Sequence, residues 1–438
     1  MVERRLIRFL VPYTRTLYFS DKGRERGITA DTVRDFERYI SKKYRKQLRN
    51  RAITVVTIPT MREKLLPALR DGLGDVAAGN LTVTEERLQL VDFVSPPDLR
   101  KVSELVIGGL TSSPISSAEE LTGTTVHVRK SSSYYESLTA LNAKLRAQGK
   151  APVRLILVPD ALEDEDMMEM LNAGLFERIV VDDWKAKMWA PVLPHIKVNE
   201  VAVREDRAVG WALRKASPAL RRELEAFYTD FLKRQGVVGY RLKQYAARIK
   251  RIKDPTRDKE WKRFEQTLAL FQKYGEKYRF DPLMLAAQGY QESQLNQSAR
   301  SHTGAIGIMQ IMPKTGAALK VGNITIAEPN VHAGAKYMDQ LMTKYFPRAN
   351  FSEEDRTLFA FASYNAGPRN IARMREEAQR RGFDANKWFN NVEIVAAEKI
   401  GQETTTYVRN IYKYYAAYKL SLEAAERAGE ARQEFEQR

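Results

Sequence analysis

Residues 281–293 read Asp-Pro-Leu-Met-Leu-Ala-Ala-Gln-Gly-Tyr-Gln-Glu-Ser, and this stretch decides how the second half of the chain is interpreted. Asp281 is a predicted helix N-cap, because its carboxylate can accept a free backbone N–H, and Pro282 suits the first helical position. Helical spacing places Glu292 on one stripe with Leu285, beside a glycine where a chain-like ligand could approach. Desolvation there favours the protonated acid that general acid catalysis needs. From this helix alone, an exposed surface glutamate remains the alternative.

Helical spacing continues on both sides of this helix. Between about residues 263 and 420 the long segments have helical periodicity and strand patterns are absent, which predicts an all-α domain. Residues 236–262 are rich in Lys and Arg and predict a basic helical connector. Residues 421–438 are charged with few large apolar residues, so we expect a solvated helix or a frayed end.

Four further motifs follow the first one along the chain. Each has a structural explanation by itself, because glycines form turns, Gly-Pro ends one helix and begins another, and Met and Ile fill cores. The ordered set is far less expected by chance. It comprises Gly304-Ala305-Ile306-Gly307-Ile308-Met309-Gln310-Ile311-Met312-Pro313, then Pro329-Asn330, then Ser363-Tyr364-Asn365-Ala366-Gly367-Pro368, and then Gln402-Glu403-Thr404 with Tyr407-Val408. With Glu292-Ser293 it resembles the soluble lytic transglycosylase domain, a goose-lysozyme-like α fold that cleaves peptidoglycan, over residues 263–420.

This resemblance implies a chemical role for one residue above all. In that family the Glu of the Glu-Ser pair is the only catalytic carboxylate, which assigns the role to Glu292. The substrate supplies both nucleophiles, its N-acetyl group and then its C6 hydroxyl, so neither a metal nor a cofactor is required. Ser363 stands where the family motif has Ala. The substrate-binding residues that the matched motifs imply are Ser293, Met309, Gln310, Tyr364, Asn365, Glu403 and Tyr407.

The first 235 residues have a different pattern. Short β-branched runs alternate with amphipathic helices, which predicts a largely parallel α/β sheet, and the alternation restarts after Ser112. Two such halves predict two lobes with a ligand cleft between them. We place lobe 1 at about 1–105 and 200–235, and lobe 2 at about 106–199.

A motif in lobe 1 points to the kind of ligand. Val83-Thr84-Glu85-Glu86-Arg87, followed by the run 91–97, resembles the amino-acid-binding periplasmic solute-receptor family. The resemblance implies that Arg87 pairs with a ligand carboxylate, that Asp182 takes an ammonium group, and that Tyr18 supplies an aromatic wall. The loop 129–133 departs from that family because it lacks the usual glycine. A structural salt bridge of Arg87 is the alternative.

The order of the two domains adds information. A two-lobed α/β periplasmic-binding-protein-like domain followed by an all-α lysozyme-like (goose-type, SLT) domain resembles the membrane-bound lytic murein transglycosylase F family. The resemblance implies non-hydrolytic cleavage of the MurNAc-GlcNAc bond to 1,6-anhydromuramyl ends, a muropeptide or stem-peptide ligand at the first domain, and a periplasmic, outer-membrane-associated location. A goose-type lysozyme that uses water and a non-catalytic cell-wall-binding receptor are the alternatives.

Composition limits the other possibilities. The 438 residues include 72 Lys+Arg and 55 Asp+Glu, a net charge of +17, which suits an acidic partner such as carboxylate-bearing peptidoglycan. The basic clusters lack the interleaved aromatics of RNA-binding sheets, and we expect no nucleic-acid partner. No cysteine is present, which excludes thiolate metal sites and Cys nucleophiles. No apolar stretch approaches the roughly 18 residues of a membrane-spanning helix, so we expect none. Arg8 interrupts the apolar run Leu6–Val11 and no small-residue cleavage site follows, so we expect no signal segment in this chain.

Overall fold

The computed structural model describes residues 5–21, 24–49, 52–94, 101–232 and 258–436, and the chain divides into two compact units. The first unit consists of residues 1–251 and the second of residues 252–438. The domain boundaries expected at 235 and 262 lie on either side of this division. Most of the expected connector lies outside the described residues. The boundaries therefore stay predictions.

The described part of the first unit contains two five-stranded sheets and a two-stranded ribbon. Its strands are β1 (Leu6–Val11), β2 (Phe19–Asp21), β3 (Arg24–Arg26), β4 (Thr54–Pro59), β5 (Val76–Thr82), β6 (Asp92–Val94), β7 (Val102–Gly108), β8 (Thr125–Val128), β9 (Arg154–Leu157), β10 (Arg178–Asp182), β11 (Lys197–Arg207) and β12 (Val209–Leu213). Its α-helices are α1 (Ile28–Lys43), α2 (Leu65–Arg70), α3 (Glu85–Leu90), α4 (Ser133–Ala147), α5 (Asp164–Asn172), α6 (Asp183–Trp189) and α7 (Pro218–Phe227). Short 3-10 helices lie at Arg62–Lys64 and Ala118–Leu121, and a π turn at Tyr228–Leu232.

Each sheet combines parallel and antiparallel pairs. In the first sheet, ordered β4-β1-β5-β12-β6, strand β1 runs parallel to β4 and β5, and β12 runs antiparallel to β5 and β6. In the second, ordered β11-β7-β10-β8-β9, strand β8 runs parallel to β9 and β10, and β7 runs antiparallel to β10 and β11. One sheet lies in each lobe, so the predicted two-lobed α/β arrangement is confirmed.

The second lobe is inserted between two neighbouring strands of the first sheet. The chain leaves that sheet after β6 and returns to it at β12, where Trp211 lies opposite Val94. Strands β7 and β11, which begin and end the second lobe, are also neighbours. They start at Val102 and end at Arg207, beyond the limits of about 106 and 199 expected from sequence.

The second unit is helical, as predicted. Its α-helices are α8 (Asp258–Tyr278), α9 (Pro282–Ser293), α10 (Pro313–Leu319), α11 (Ala327–Tyr345), α12 (Glu353–Ala366), α13 (Pro368–Arg380), α14 (Glu393–Ile400) and α15 (Gln402–Glu436), with a π turn at Trp388–Val392. The sequence did not predict α14 or the π turn, whose backbone is interrupted by Asn390 at a φ of 56°.

Helix α9 packs against both α8 and α15. The stacking of Phe264 on Tyr418, with ring centroids 4.2 Å apart, joins α8 to α15 at the core. Leu285 and Ala286 on α9 are fully buried. This packing brings the end of α9 to the beginning of α15, where the candidate active site lies.

Candidate active site and ligand cleft

Local sequence fixes both ends of α9. The Asp281 carboxylate accepts hydrogen bonds from the backbone N–H groups of Leu283 and Met284, at 2.7 and 3.3 Å, which confirms the predicted N-cap. The helix ends at Ser293 and is followed by Gln294, whose φ of 57° is left-handed. Glu292 therefore stands in the last turn, on a helix whose first turn is firmly capped.

The Glu292 carboxyl group accepts a short hydrogen bond from α15. The Tyr407 hydroxyl on α15 donates a 2.5 Å hydrogen bond to Glu292 Oε1. Burial raises the pKa of Glu292 to about 6, although the hydrogen bond from Tyr407 opposes the shift. Among the described residues, no charged side chain contributes to this shift. Glu292 is therefore a carboxyl group that can be protonated near neutral pH without the help of a second carboxylate.

Two further side chains support this pair. Gln288, fully buried one turn before Glu292, donates to the Tyr407 hydroxyl at 3.5 Å. The Tyr364 hydroxyl donates to the backbone carbonyl of Met309 at 2.6 Å. Burial and then the charge of Glu292 hold the pKa of both tyrosines well above the usual range. Tyr364 and Tyr407 therefore stay neutral and keep their donor protons.

The glycine beside Glu292 does not open a path for a ligand. A Cβ atom at Gly289 would lie 3.0 to 3.1 Å from side-chain atoms of Ile308, Leu295 and Phe271. These protein atoms fill the space that we expected a chain-like ligand to use. Gly289 serves instead the close packing of α9 on the loop that follows it.

That loop, residues 304–312, is held by buried polar contacts. The Ser293 hydroxyl donates to the Ile308 carbonyl at 2.9 Å. Asn330, fully buried on α11, accepts from the Met309 N–H at 2.8 Å and donates to the Ile306 carbonyl at 2.8 Å. Asn330 belongs to one of the sequence motifs, but its spacing there indicated no role. The structure shows that it fixes the backbone of the loop.

The predicted substrate-binding residues of this loop differ in position. The Met309 side chain is fully buried, and a Cβ atom at Gly334 would lie 2.7 Å from its methyl group. Any contact of Met309 with a glycan therefore depends on its backbone. Gln310 is partly exposed at a φ of 47°, and its side-chain amide donates to the Gly307 carbonyl at 2.8 Å.

The remaining two predicted residues lie where α12 meets α15. Asn365 is exposed at the end of α12, and its side-chain oxygen accepts a 2.8 Å hydrogen bond from the Thr404 hydroxyl. Glu403 is exposed in the first turn of α15. It lies four residues before Tyr407 and thus on the same face of the helix.

In the first unit, a cavity of about 320 Å³ lies between the lobes. Arg87 and Asp182 both line it. The Arg87 guanidinium donates to the Thr82 carbonyl at 3.0 Å and lies 3.7 Å from the carboxylate of Glu136. Burial lowers the pKa of Arg87, although not enough to discharge a guanidinium.

Tyr18 does not form an aromatic wall of this cavity. It is 4% exposed, and its hydroxyl donates to the Glu25 carboxylate at 2.9 Å. Burial, followed by the charge of Glu25, raises the pKa of Tyr18 above its usual range. The side chain is part of the lobe 1 core, and the prediction for Tyr18 was therefore wrong.

The lobes contact each other directly through an acidic segment at the start of α5. Glu163 accepts from Arg62, and Glu165 accepts from the Thr16 N–H at 3.0 Å. Asp166 pairs with Arg15 at 3.1 Å. These contacts were not predicted, because four consecutive acidic residues resemble an exposed helix start. Asp164, Glu165 and Asp166 are instead buried.

The loop without the family glycine is ordered by its own side chains. Ser132 caps α4 by accepting from the Tyr135 N–H at 3.2 Å. Arg129 is buried and pairs with Asp164 and, at 3.4 Å, with Glu163. Among the residues that the structure describes, no cluster of three or more His, Cys, Asp or Glu side chains is arranged to hold a metal ion.

Comparisons with known proteins match both units. The model of the bacterial extracellular solute-binding proteins, family 3, matches residues 10–243, more than half of the chain. The chain belongs to this family. The model of the transglycosylase SLT domain matches residues 269–388, which include Glu292, Met309 and Tyr364. The predicted order of a periplasmic-binding-protein-like domain and an SLT domain is confirmed.

Curated relatives extend over both units. The membrane-bound lytic murein transglycosylase F of Desulfosudis oleivorans is 28% identical over 376 residues, 81% of this chain and 79% of that protein. The protein of the same name from Pseudomonas fluorescens is 25% identical over 421 residues, 91% of this chain and 81% of that protein. The resemblance to this group of proteins inferred from the motifs is thereby confirmed.

Solved structures of solute-binding proteins match as well. An ancestral arginine-binding protein bound to arginine is 20% identical with a TM-score of 0.43, covering 55% of this chain and 98% of that chain. Holo ArgBP from T. maritima is 18% identical with a TM-score of 0.40, covering 53% and 92%. Within the described part of the chain, no helix is both long and apolar enough to cross a membrane.

Proposed function

We propose that the second unit is a peptidoglycan lytic transglycosylase with Glu292 as its single acid–base residue. It cleaves the MurNAc-GlcNAc bond without water and leaves 1,6-anhydromuramyl ends. The observation that carries this proposal is the Glu292 carboxyl group, whose pKa of about 6 arises from burial and which has Tyr407 as its hydrogen-bond donor. The SLT domain match and the names of the curated relatives support the same activity.

The reaction has two steps, and one carboxyl group serves both. In the first, the bond between the anomeric carbon and the glycosidic oxygen breaks, protonated Glu292 gives its proton to that oxygen, and the N-acetyl oxygen of the muramic sugar bonds to the anomeric carbon. In the second, the Glu292 carboxylate takes the proton of the C6 hydroxyl, whose oxygen displaces the N-acetyl oxygen and closes the anhydro ring. Glu292 is thereby protonated again, and no water is consumed.

The surrounding residues have proposed roles that follow from their contacts. Tyr407 orients the carboxyl group. Gln310, Asn365 and Glu403, which are exposed or partly exposed, contact the glycan. The remaining predicted residues, Ser293, Met309 and Tyr364, act at the substrate site by fixing the loop 304–312.

The test is a digest of purified peptidoglycan, with the products read by mass spectrometry. We expect anhydro-ended muropeptides from the wild type and from Glu328→Gln, a control at a surface carboxylate paired with Lys273, and none from Glu292→Gln. Products that retain one added water would indicate the goose-type lysozyme. Glycan binding without any cleavage by the wild type would indicate the non-catalytic receptor.

We also propose that the first unit binds a peptidoglycan-derived muropeptide or stem peptide in the cavity between its lobes. The support is Arg87, a cavity-lining guanidinium with no carboxylate oxygen nearer than 3.7 Å among the described residues. Such a group suits a ligand carboxylate in a two-pronged hydrogen bond. The names of the relatives, together with the extracellular solute-binding family, support a periplasmic, membrane-associated location, and we propose that this membrane is the outer membrane.

A further inference from the structure

The cavity in the first unit is lined by charges of both signs. Its cations include Arg87, Arg129 and Lys185, and its buried carboxylates are Asp164 and Asp182. A zwitterionic amino acid would need two places in such a cavity, a cation for its carboxylate and a carboxylate for its ammonium group. The contacts of the charged side chains in the cavity determine whether a ligand can use a cation and a carboxylate there.

Lys185 lies beside the carboxylates that would bind the ammonium group of a ligand. Its side chain is 5% exposed, and its ammonium group contacts the carboxylate of Asp164 and lies 3.6 Å from that of Asp182. Burial lowers the pKa of Lys185, but Asp164 and Asp182 raise it by more, so the group is charged. The protein thus supplies its own ammonium ion to both buried carboxylates of the cavity.

Asp182 has a second internal partner. The side-chain amide of Asn80, from the opposite lobe, donates to Asp182 Oδ2 at 2.8 Å, the oxygen that also faces Lys185. Asp164 is likewise shared, because Arg129 pairs with its other oxygen. Each carboxylate therefore already has a protein cation beside it, where the ammonium group of a ligand would otherwise bind.

Arg87 is placed differently. Among the described residues, its guanidinium has one hydrogen-bond partner, the Thr82 carbonyl, and one ion-pair partner, the exposed Glu136 carboxylate at 3.7 Å. The charge of the buried Glu104 also acts on it, from beyond ion-pair distance. The cavity therefore offers a site for a ligand carboxylate and a fixed positive charge where an α-ammonium group would go. An ammonium group of a ligand placed there would be repelled by the Lys185 ammonium group, because like charges repel each other strongly in a buried site.

We propose that Lys185 makes this cavity selective for carboxylates whose α-nitrogen carries no charge, such as N-acyl amino acids and peptide C-termini, and excludes free amino acids. The proposal rests on the ligand-binding function proposed above and specifies its ligand class. An amide nitrogen has no charge to be repelled by Lys185, whereas its carboxylate still pairs with Arg87.

The test is calorimetric titration of the full chain with three matched compounds. D-Alanine carries the ammonium group, N-acetyl-D-alanine acylates it, and D-lactate replaces it with a hydroxyl. We expect N-acetyl-D-alanine and D-lactate to bind at least about tenfold more tightly than D-alanine, about 1.4 kcal/mol in binding free energy. Equal or tighter binding of D-alanine would overturn the proposal.

Variants identify the source of the selectivity. Lys185→Met should bind D-alanine more tightly than the wild type does and lose most of the preference, whereas Lys185→Arg should keep it. Lys187→Met is the control, because Lys187 lies on the same helix but is 52% exposed and 4.0 Å from Asp183. A preference unchanged in Lys185→Met would overturn the role of Lys185. If that variant does not fold, loss of the preference in Lys185→Arg does the same.

The same titrations separate this inference from the function on which it rests. If all three compounds fail to bind the wild type, the inference is overturned, and stem-peptide titration then decides whether the broader ligand-binding proposal also fails. If D-alanine binds as well as N-acetyl-D-alanine, the cavity is a ligand site and only the selectivity is wrong. Peptidoglycan cleavage by the same preparation tests the catalytic proposal independently.

Discussion

At the scale of single residues, the environment of Glu292 sets the pH dependence of catalysis. The first step requires the protonated acid, and the pKa of Glu292 is about 6. The rate of the first step should therefore fall as the pH rises above about 6, because the acid form is lost. The hydrogen bond from Tyr407 lowers this pKa, so its removal should raise the pKa further.

Tyr407→Phe is accordingly expected to move the alkaline limb of the pH–rate profile to higher pH, with a lower maximal rate because the carboxyl group is less well oriented. The measurement is the initial rate of anhydro-muropeptide release between about pH 5 and about pH 8. Tyr278→Phe is the control, since that hydroxyl bonds to His332. An alkaline limb that stays in place or moves to lower pH in Tyr407→Phe would show that this hydrogen bond does not stabilise the Glu292 carboxylate.

The same residue should affect the stability of the protein. The pKa of Glu292 is raised from 4.5 in an unfolded chain to about 6 in the folded one. Its contribution to stability is therefore complete below about pH 4.5 and is lost as the pH rises through 6. Glu292→Gln should raise the free energy of unfolding near pH 7 by at most about 2 kcal/mol, less any screening by solvent.

Denaturant unfolding at about pH 4 and about pH 7 checks this expectation. The gain should appear only at the higher pH. Glu328→Gln should show no such gain, because Lys273 lowers the pKa of Glu328. Equal stability of Glu292→Gln and wild type at both pH values would contradict the raised pKa.

At the scale of elements, the loop 304–312 depends on a side chain from another helix. Asn330 on α11 accepts from Met309 and donates to the Ile306 and Ile324 carbonyls. Replacing it by Ala leaves several buried backbone groups without partners, at a cost of about 1–3 kcal/mol each. We expect Asn330→Ala to lower the free energy of unfolding by about 3 kcal/mol or more and to lose most glycan cleavage.

The comparison is Asn323→Ala, at an exposed residue whose side-chain oxygen accepts hydrogen bonds from the neighbouring Thr325. Thermal unfolding and the peptidoglycan digest are measured on both variants. Retention of full cleavage by a folded Asn330→Ala would show that the position of the loop is not needed for catalysis.

The elements also show what the sequence alone could predict. The N-cap at Asp281 and the start of α9 at Pro282 are local features, and they were predicted correctly. The contacts that complete the site join residues far apart in the chain, such as Tyr407 with Glu292. The motif predicted that Met309 contacts the glycan. In the structure its side chain is buried against Gly334, a residue of α11. Spacing identifies which residues share a helix face, whereas it does not determine which faces meet.

At the scale of the whole molecule, ligand binding in the first unit should influence cleavage by the catalytic domain. A ligand that prefers one arrangement of the lobes can change the cleavage rate only by its difference in affinity for the two states. We expect saturating stem peptide to change the rate about 5–150-fold, and Arg87→Ala to abolish both peptide binding and this effect.

Calorimetric titration and cleavage rates with and without peptide are the measurements. Arg70→Ala, at an exposed arginine paired with its neighbour Asp71, should behave as the wild type does. Equal peptide binding by Arg87→Ala would remove Arg87 from the site. A cleavage rate that does not respond to bound peptide would indicate that the first unit only localises the enzyme and does not regulate cleavage.

The two lobes and the order of the two domains were predictable, because alternating and helical periodicities extend over many residues. The interior of the cleft was not. The acids from 163 to 166 resemble a solvated helix start, yet their partners include Arg15, Arg62 and Lys185, which are distant in sequence. Ion pairs between such residues leave no local sequence pattern, so the role of Lys185 was not predicted. Tyr18 was assigned to the cleft by resemblance, although it lies in the lobe 1 core.

The neighbouring positions of β6 and β12 have a consequence for protein engineering. These strands form an antiparallel pair, and the second lobe occupies the place of the turn that would join them. The second lobe is therefore an insertion between two adjacent strands of the first sheet. A short turn spliced between Val94 and Val209 would close the hairpin without disturbing the register of the first sheet, and lobes from other solute-binding proteins could be grafted at the same two points to give the chain a new ligand.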